Sequence, residues 1–421
     1  MNNKFNMKKF IAAILFGAMV LTLTACGNSE EAEEDGNVTL QFSIWSDEEN
    51  YIRKVVDQYN AEDRGIQVEL LVIPDADYDD KLKVMMSGDA DMDIVDIRGL
   101  SQTATYASQG AILDLTDYID NSSLDVDKYG AMWETSSYEG RYYALPTRST
   151  CWVLYYNADL FDEAGIEYPE QLTWEEYGEL AAELKDRLGV YGGYWTPYVF
   201  QFAALQSGTY VDDEDTSMLK YSLELRNKWY NIDNSHMSYG DIVATNPDQF
   251  AEFESGNCVM MPNGEWCVNQ FLQDEEAGTF DANWQVAPMP VPEGVEAGTT
   301  WGQFQFAAIT SKSEHPEEAF DFLSYLCGPE GSEVYSECGM IHAYAGEESR
   351  EAYIETTGKE STSVFFDAKK VQEDPNTPGY AEILTAFEDN ADLYLLGEVD
   401  IDTCLQKFAE QRDRIKEEYD Q

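Results

Sequence analysis

Aromatic and charged side chains follow several predicted strands and turns of this 421-residue chain, where they could hold a small molecule. In open α/β sheets ligands lie beyond the carboxyl ends of the strands, so residues directly after each strand are the first candidates. Indole rings offer flat apolar surfaces, while carboxylates, guanidinium groups and amides offer hydrogen bonds. The candidates for ligand contact are Trp45, Asp47, Glu48, Arg98, Arg148, Trp152, Trp195, Glu265, Trp266, Trp301 and Gln303.

Each candidate also has a purely structural interpretation. A tryptophan belongs to a core about as often as to a cleft, and Asp47 and Glu48 could simply cap the helix that follows them. Arg98 and Arg148 are notable because arginine is scarce in this chain, but either could pair with a surface carboxylate. The sequence leaves both interpretations open.

The elements that position the first candidates follow a strand and helix alternation. Ser46 and Glu49 have the spacing of a capping box, which predicts that a helix begins at this point. Hydrophobic periodicity predicts strands at residues 38–45, 66–74 and 93–97 and a helix at residues 78–88. This order is typical of a parallel sheet in an α/β layer fold.

A second unit begins near residue 148. Its predicted elements include strands at residues 152–157 and 257–264 and a helix whose capping box is Thr173 with Glu176. Residues 284–300 are rich in proline and glycine and are the best linker candidate of the folded part. The chain after its first segment holds about 390 residues, and a single core stops growing near 250–300 residues, so two domains are expected.

The first 25 residues have the features of a signal peptide. Three lysines precede an apolar run at residues 10–23, which is too short to span a hydrocarbon core about 30 Å thick. Residues 23–26, Leu-Thr-Ala-Cys, resemble the bacterial lipobox, in which the cysteine is lipidated and becomes the first residue. We therefore expect Cys26 to anchor the protein to a membrane and residues 26–37 to form a disordered tether.

Composition excludes several classes of partner. The chain has 81 acidic and 26 basic residues, a net charge of −55, so nucleic acid is not an expected partner. Its three histidines and scattered cysteines lack the spacing of a metal site, and no cofactor motif is present. Residues 125–130 begin like a calcium loop, but Ser136 stands where a glutamate is required, and a helix cap is the better interpretation. Buried free thiols are favoured over disulfides for the six cysteines after Cys26.

Several motifs, taken in order, resemble one family. They are Tyr-Ala-Leu-Pro at residues 143–146, Tyr-Asn at 156–157, Asp-Leu-Phe at 159–161, Ala-Gly at 164–165 and Thr-Trp at 173–174. Further matches lie at residues 106–119, 253–266 and 301–331. Each is weak alone, but together they span nearly the whole chain after the leader. The sequence thus resembles the bacterial extracellular solute-binding proteins of ABC importers, in particular the carbohydrate-binding family that includes maltose-binding protein.

This resemblance implies an α/β fold with two lobes, a hinge that the chain crosses more than once, and a ligand in the cleft between the lobes. We expect one lobe to comprise residues 38–147 and 291–330, and the other residues 148–290 and 331–421. The implied function is capture of a carbohydrate by a monomeric, non-enzymatic receptor and its delivery to permease subunits. Such a receptor would lie on the extracellular face of the cytoplasmic membrane, which is the periplasmic side in a host with an outer membrane.

The ligand itself does not follow from the resemblance. A sugar has two flat C–H faces and a rim of hydroxyl groups, which suits the aromatic and charged candidates. However, Arg148, Ser149 and Thr150 stand in the region that carries an acidic sugar contact in maltose-binding protein. An oligosaccharide is the expected class because aromatic residues are abundant, while the sugar and its linkage stay open.

Two other functions stay open at this point. Polyamine-binding proteins share the same architecture, and the acidic chain could suit a cation, although Arg98 and Arg148 at predicted cleft positions argue against one. A glycan hydrolase would need a pair of carboxylates, but among 81 acidic residues such a pair arises by chance.

Overall fold

The structure is a computed structural model that describes residues 38–88, 92–130, 132–344 and 346–419. The predicted signal peptide and the tether at Cys26 lie outside the described residues. Within the described ranges, no helix combines the length and apolar character needed to cross a membrane. The same ranges contain no cluster of three or more His, Cys, Asp or Glu side chains arranged to hold a metal ion.

The strands of the described chain are numbered here in chain order. They are β1 Val38–Trp45, β2 Ile66–Ile73, β3 Ile94–Ile97, β4 Leu145–Ser149, β5 Trp152–Asn157, β6 Tyr191–Gly193, β7 Cys258–Gly264, β8 Trp284–Ala287, β9 Thr299–Gly302, β10 Phe304–Ile309 and β11 Lys369–Gln372. The strands predicted at residues 38–45 and 152–157 coincide with β1 and β5. The first is marked by alternating apolar and polar residues, and the second by a continuous apolar run.

The α-helices are numbered in the same way. They are α1 Glu49–Ala61, α2 Tyr78–Ser87, α3 Leu100–Ser108, α4 Thr116–Asp120, α5 Met132–Thr135, α6 Ala158–Ala164, α7 Trp174–Leu188, α8 Phe202–Gln206, α9 Ser217–Asn227, α10 Tyr239–Thr245, α11 Gln249–Glu254, α12 Trp266–Ala277, α13 Pro316–Leu326, α14 Pro329–Glu337, α15 Glu347–Thr357, α16 Val364–Asp367, α17 Tyr380–Leu395 and α18 Ile401–Tyr419.

One capping prediction is confirmed and the other is wrong. At the start of α7, Thr173 and Glu176 bond reciprocally to each other's backbone amides, as a capping box requires. At Ser46 the chain instead forms a short 3-10 turn at Ser46–Glu48 before α1 begins. The Ser46 hydroxyl accepts a hydrogen bond from the Asp75 amide and so is not available to cap the helix.

The first sheet has the strand order β2-β1-β3-β10-β4. Strand β1 runs parallel to β2 and β3, and β10 runs antiparallel to β3 and β4. Helices α1 and α13 cover one face, where the rings of Tyr59 and Phe322 lie 5.0 Å apart edge to face. A hydrophobic core of this sheet and its helices forms the first lobe.

The second sheet has the order β6-β7-β5-β8, with β5 antiparallel to both β7 and β8. Its core includes a group of large rings around Trp174 of α7 and Trp229, which follows α9, and both of these rings are fully buried. Helices α15 to α18 add further residues to the same core, among them Tyr353, Phe387 and Phe408. Strand β11 joins this lobe by pairing in parallel with β9.

The chain crosses between the lobes at three places that lie side by side. The first crossing joins β4 to β5, and the second joins β9 to β10. They are held together because the Thr150 amide donates to the Gln303 carbonyl at 2.8 Å. The third follows α14, where the Ser149 amide donates to the Ile341 carbonyl at 3.0 Å. Three adjacent crossings form a hinge, as expected for a two-lobed binding protein.

The predicted lobe boundaries stay a prediction. Core packing favours two changes to them: Val334 and Tyr335 lie in the first core, and Trp301 lies in the second. The predicted linker at residues 284–300 is also tied to the second lobe, since the Val291 amide donates to the Leu172 carbonyl. The crossing itself occurs later, at Gln303.

Candidate functional site

A buried ion-pair network joins the ends of β1, β4 and β7. Arg148 donates from Nε to Glu265 Oε1 at 2.7 Å and from Nη1 to Glu48 Oε1 at 3.1 Å. The Tyr51 hydroxyl donates to the same Glu48 oxygen at 2.6 Å, and Glu265 Oε2 accepts the Cys151 amide at 3.0 Å. All three charged side chains are almost fully buried. The network therefore connects the first sheet with the second at the hinge.

The Glu48 carboxylate also faces Asp96 on β3. Burial and the charge of Glu48 raise the pKa of Asp96 well above its ordinary value. In the described part of the chain, neither Glu48 Oε2 nor Asp96 Oδ2 has another hydrogen-bond partner. A proton held on Asp96 and shared with Glu48 would satisfy both oxygens.

Three tryptophans adjoin the network from the side of the second lobe. Trp152 contacts Trp266 edge to face with centroids 5.2 Å apart, and it contacts Trp301 at 5.3 Å. The Arg148 guanidinium lies 5.7 Å from the centre of the Trp266 ring. Trp152 and Trp301 are buried, whereas Trp266 is half-buried and packs against both cores. Trp266 is thus the ring of this group that presents surface at the boundary between the lobes.

The Trp266 ring owes its position to a glycine. A Cβ atom built on Gly264 would lie 1.9 Å from the Trp266 ring, so only glycine leaves room for the indole to fold back over the end of β7. Glu265 and Trp266 consequently project from one turn, the first into the ion-pair network and the second along its edge.

Trp45 and Arg98 form a second group, at the ends of β1 and β3. The Arg98 guanidinium stacks 4.4 Å from the centre of the Trp45 ring, which is itself packed edge to face on Tyr78. Arg98 also pairs with Asp75 at 2.8 Å and with Asp79 at 3.2 Å. The arginine charge is therefore balanced by two carboxylates of the first lobe.

Asp47 lies between the two groups and is exposed. Partial desolvation, followed by the charge of Asp75, raises its pKa, while Arg98 and Arg148 act in the opposite direction. A carboxylate placed between two arginines on the rim of the first lobe can accept hydrogen bonds from a ligand.

Gln303 lies in the second crossing and faces Asp374, which follows β11. A Cβ atom built on Gly99 would lie 2.4 Å from Gln303 Oε1 and 3.1 Å from Asp374 Oδ2, so both side chains rest on this glycine. Asp374 accepts a hydrogen bond from the Ser101 hydroxyl at 3.3 Å, which links β11 to the first lobe. Its neighbour Glu373 is half-buried, like Asp374 itself.

The carboxyl groups of Glu373 and Asp374 have raised pKa values. For Asp374 burial raises the pKa to about 6. For Glu373 burial acts first and the charges of Asp374, Glu265 and Glu388 add to it. Neither carboxylate has an ion-pair partner among the residues that the structure describes. They are acceptors that a ligand with donor groups could use.

Trp195 lies apart from the other candidates. It is fully buried in the core of the second lobe, between Trp174 at 5.2 Å and Phe202 at 4.6 Å. The Arg226 guanidinium lies 5.1 Å from its ring. None of these contacts reaches the hinge, so its role as a ligand contact stays a prediction without support from packing.

The structure thus brings together most of the predicted residues and adds several that were not predicted. Glu48, Arg148, Trp152, Glu265, Trp266 and Trp301 form one continuous cluster, with Trp45, Asp47, Arg98 and Gln303 at its border. The residues added are Tyr51, Asp96, Glu373 and Asp374. The sequence did not single out Asp96, Glu373 or Asp374, because the chain has 81 acidic residues and nothing in the local sequence marks these three. Tyr51 could have been noticed, since it lies one helical turn after Glu48.

Comparison with known proteins identifies the class. A family model described as bacterial extracellular solute-binding protein matches residues 45–333. The chain therefore belongs to the bacterial extracellular solute-binding protein family, and the family implies a location outside the cytoplasm. The predicted two-lobed α/β fold is confirmed by the similarity to solved structures.

Particular relatives extend this result. A sugar transporter from Rhizobium etli, solved in an open conformation, is 27% identical with a TM-score of 0.76, covering 89% of this chain and 99% of that one. An ABC substrate-binding protein from Listeria monocytogenes in complex with cycloalternan shares the fold, with a TM-score of 0.78 and 20% identity over 90% of this chain and 98% of that one. The arabinooligosaccharide-binding protein of Bacillus subtilis is 23% identical over 343 residues, or 77% of each chain.

Proposed function

We propose that this protein is the lipid-anchored, extracellular substrate-binding component of an ABC importer, and that it captures a carbohydrate between its two lobes. The carbohydrate is an oligosaccharide, and the protein delivers it to the permease without chemical change. No cofactor takes part.

The observation that carries this proposal is the adjacent placement of Glu265 and Trp266 at the boundary between the lobes. Trp266 offers a flat ring that packs against both cores and keeps part of its surface accessible. Glu265 and Arg148 lie directly beside it. An aromatic face next to charged hydrogen-bonding groups suits the C–H face and hydroxyl rim of a sugar ring.

Capture requires that the lobes move. The three adjacent crossings at residues 149–152, 302–304 and 341–343 allow rotation about one axis, and a ligand that contacts both lobes favours their approach. In the cleft, Trp266 would contribute from the second lobe and Asp47 from the first, because both side chains keep accessible surface. The names of the sugar-binding relatives favour the same class of ligand.

The anchor and the partners rest on the sequence and the family. Lipidation at Cys26 would keep the receptor beside its permease. The net charge of −55 disfavours nucleic acid as a partner and favours a soluble monomer.

A polyamine is the second candidate ligand. Glu373 and Asp374 favour it, because both carboxylates are half-buried near Gln303 and lack an ion-pair partner in the described chain. A cation placed between them would lower their raised pKa values. Arg98 and Arg148 oppose such a ligand by repulsion.

A thermal-shift panel on the mature protein distinguishes these possibilities. Monosaccharides, oligosaccharides of several linkages, and spermidine are tested separately. A ligand at 100 times its dissociation constant stabilises the folded state by about 2.7 kcal/mol. Stabilisation by an oligosaccharide supports the proposal, and stabilisation by spermidine with no sugar effect supports the polyamine. Recovery of a shortened saccharide after incubation would indicate a glycan hydrolase.

A further inference from the structure

A separate cavity of about 390 Å³ lies at the hinge. Its walls come from both lobes: Tyr129 and Phe304 belong to the first core, and Phe365 belongs to the second. Ser149, Ile341 and Ala343 come from the crossing segments. This volume falls within the range of small-molecule pockets.

The cavity lies on the opposite face of the crossing strands from the candidate site. Successive side chains of a strand point to opposite faces. Arg148 points into the network with Glu48 and Glu265, whereas its neighbour Ser149 lines the cavity. The second crossing shows the same alternation, because Gln303 rests on Gly99 near Asp374 while Phe304 lines the cavity. The hinge thus separates two chemically distinct sites.

The lining of this hinge cavity combines aromatic rings with positive charge. Tyr129, Phe304, Phe365 and Phe366 supply the rings, and Met132 and Ile341 extend the apolar surface. Lys128 and Lys370 are the charged residues among the described residues of the lining, and none of these described residues is acidic. This is unusual in a chain with 81 acidic and 26 basic residues.

In the described ranges neither Lys128 nor Lys370 forms an ion pair. Lys370 donates to the Ser149 hydroxyl at 2.6 Å, which holds its ammonium group at the edge of the crossing segments. An anion between the two lysines would be attracted by both, and the rings would pack against its apolar part.

We propose that the hinge cavity binds a small carboxylate with an aromatic or branched apolar body, and that its occupancy restricts the relative motion of the lobes. The carboxylate lies between Lys128 and Lys370, and the apolar body lies among Tyr129, Phe304 and Phe365. Because the bound molecule contacts both cores, it stabilises the lobe arrangement in which these rings have their present separation.

Calorimetric titration of the mature protein tests the binding. The probes are phenylacetate, benzoate and isovalerate, with phenylacetamide as the uncharged control and acetate as the control without an apolar body. We expect at least one apolar carboxylate to bind about tenfold more tightly than both controls. Equal binding of phenylacetamide, or the absence of binding by all three carboxylates at millimolar concentration, would overturn the proposal.

Lysine variants locate the site. Lys128 is exposed, so Lys128→Gln leaves the fold intact, and Lys370→Gln tests the second contact. Each change is expected to weaken carboxylate binding about three- to tenfold. Lys369→Gln is the matched control, because Lys369 lies on the same strand but pairs with Glu296 and does not line the cavity. Unchanged binding in the double variant Lys128→Gln, Lys370→Gln would contradict this location.

Spin labels test the effect on lobe motion. Val84 on α2 and Val243 on α10 are 70% and 51% exposed and belong to different lobes, and the six described cysteines are buried. In protein that also carries Cys26→Ser, Val84→Cys and Val243→Cys can therefore be labelled selectively. We expect the bound carboxylate to narrow the distribution of distances between the labels. If saturating phenylacetate leaves the distribution of label distances unchanged, the proposed restriction of lobe motion is refuted. This outcome does not depend on which ligand binds between the lobes.

Discussion

Arg148 and Glu265 are 117 residues apart in sequence, yet they form a direct hydrogen-bonded ion pair across the hinge, with Nε and Oε1 2.7 Å apart. Arg148 lies near the end of β4, the edge strand of the first sheet, and Glu265 directly follows β7, a central strand of the second. The pair is buried, and the adjacent Trp266 ring makes it part of the candidate site.

Removing the arginine is expected to destabilise the protein strongly. In Arg148→Met the carboxylates of Glu48 and Glu265 remain buried without their cation, which costs about 3–5 kcal/mol of unfolding free energy. Burial lowers the pKa of Arg148, but the charges of Glu265 and Glu48 raise it by more. The pKa of Arg148 therefore lies above its ordinary value, and the guanidinium is charged at every pH at which the protein is folded. Chemical denaturation monitored by circular dichroism measures the change.

A double variant and a surface pair serve as controls. Adding Glu265→Gln to Arg148→Met should recover part of the loss, because one buried charge is removed. Arg187→Met, which breaks an exposed pair with Glu183 on α7, should change the unfolding free energy by about 1 kcal/mol or less. Equal effects of the Arg148 and Arg187 variants would show that the buried network has no special role.

Asp96 should make stability depend on pH. Its folded-state pKa is raised, so it keeps a proton that the unfolded chain releases above about pH 4. Wild type therefore loses stability relative to Asp96→Asn as the pH rises, by about 1.4 kcal/mol per pH unit, until the folded-state pKa is reached. The asparagine mimics the protonated acid, since its oxygen can accept the Ile97 amide and its NH₂ can face Glu48.

Denaturation of wild type and Asp96→Asn at about pH 5 and pH 8 measures this difference. The variant should gain stability relative to wild type at the higher pH. If the difference between the two proteins is the same at both pH values, Asp96 is not the protonated member of the pair.

Gly302 should be required for the close approach of the first two crossing segments. A Cβ atom at this position would lie 2.1 Å from the Thr150 carbonyl oxygen, so Gly302→Ala forces the first two crossing segments apart. The expected cost is about 1–3 kcal/mol, measured by thermal unfolding. Gly240→Ala is the matched control: a Cβ at Gly240, in α10, meets open space, and alanine in a helix is favoured by about 1 kcal/mol. Similar effects of the two changes would contradict the close approach at the hinge.

The spacing of residues along the sequence predicted helices and strands. It did not predict which residues from distant segments would contact one another. The alternation of residues 38–45 predicted β1 completely, and the reciprocal hydrogen bonds of Thr173 and Glu176 were anticipated from spacing alone. At Ser46 the same spacing failed, because the Asp75 amide from another segment takes the serine hydroxyl. Such competition depends on the tertiary fold.

The candidate site shows the same division. Trp152 was proposed because it lies near the start of the second unit, and Trp266 because it follows a predicted strand and turn. The structure places the two rings in contact. Trp195 also follows a glycine-containing turn, but Trp174 of α7 and Trp229, which follows α9, pack against its ring. Only the three-dimensional packing distinguishes a ring at the hinge from a ring in a core. The resemblance to a known family supplied the lobe arrangement, which periodicity alone did not.

Binding of the oligosaccharide selected by the panel to wild type and Trp266→Ala, measured by calorimetry, tests the central claim most directly. Tyr168→Ala is the control, since Tyr168 is an aromatic residue that is 44% exposed and packs on Phe161 away from the hinge. We predict that Trp266→Ala weakens binding by about 2 kcal/mol or more, roughly thirtyfold, while Tyr168→Ala binds as wild type does. Equal affinity of the Trp266→Ala variant and wild type would contradict the claim that the sugar is held between the lobes at this ring.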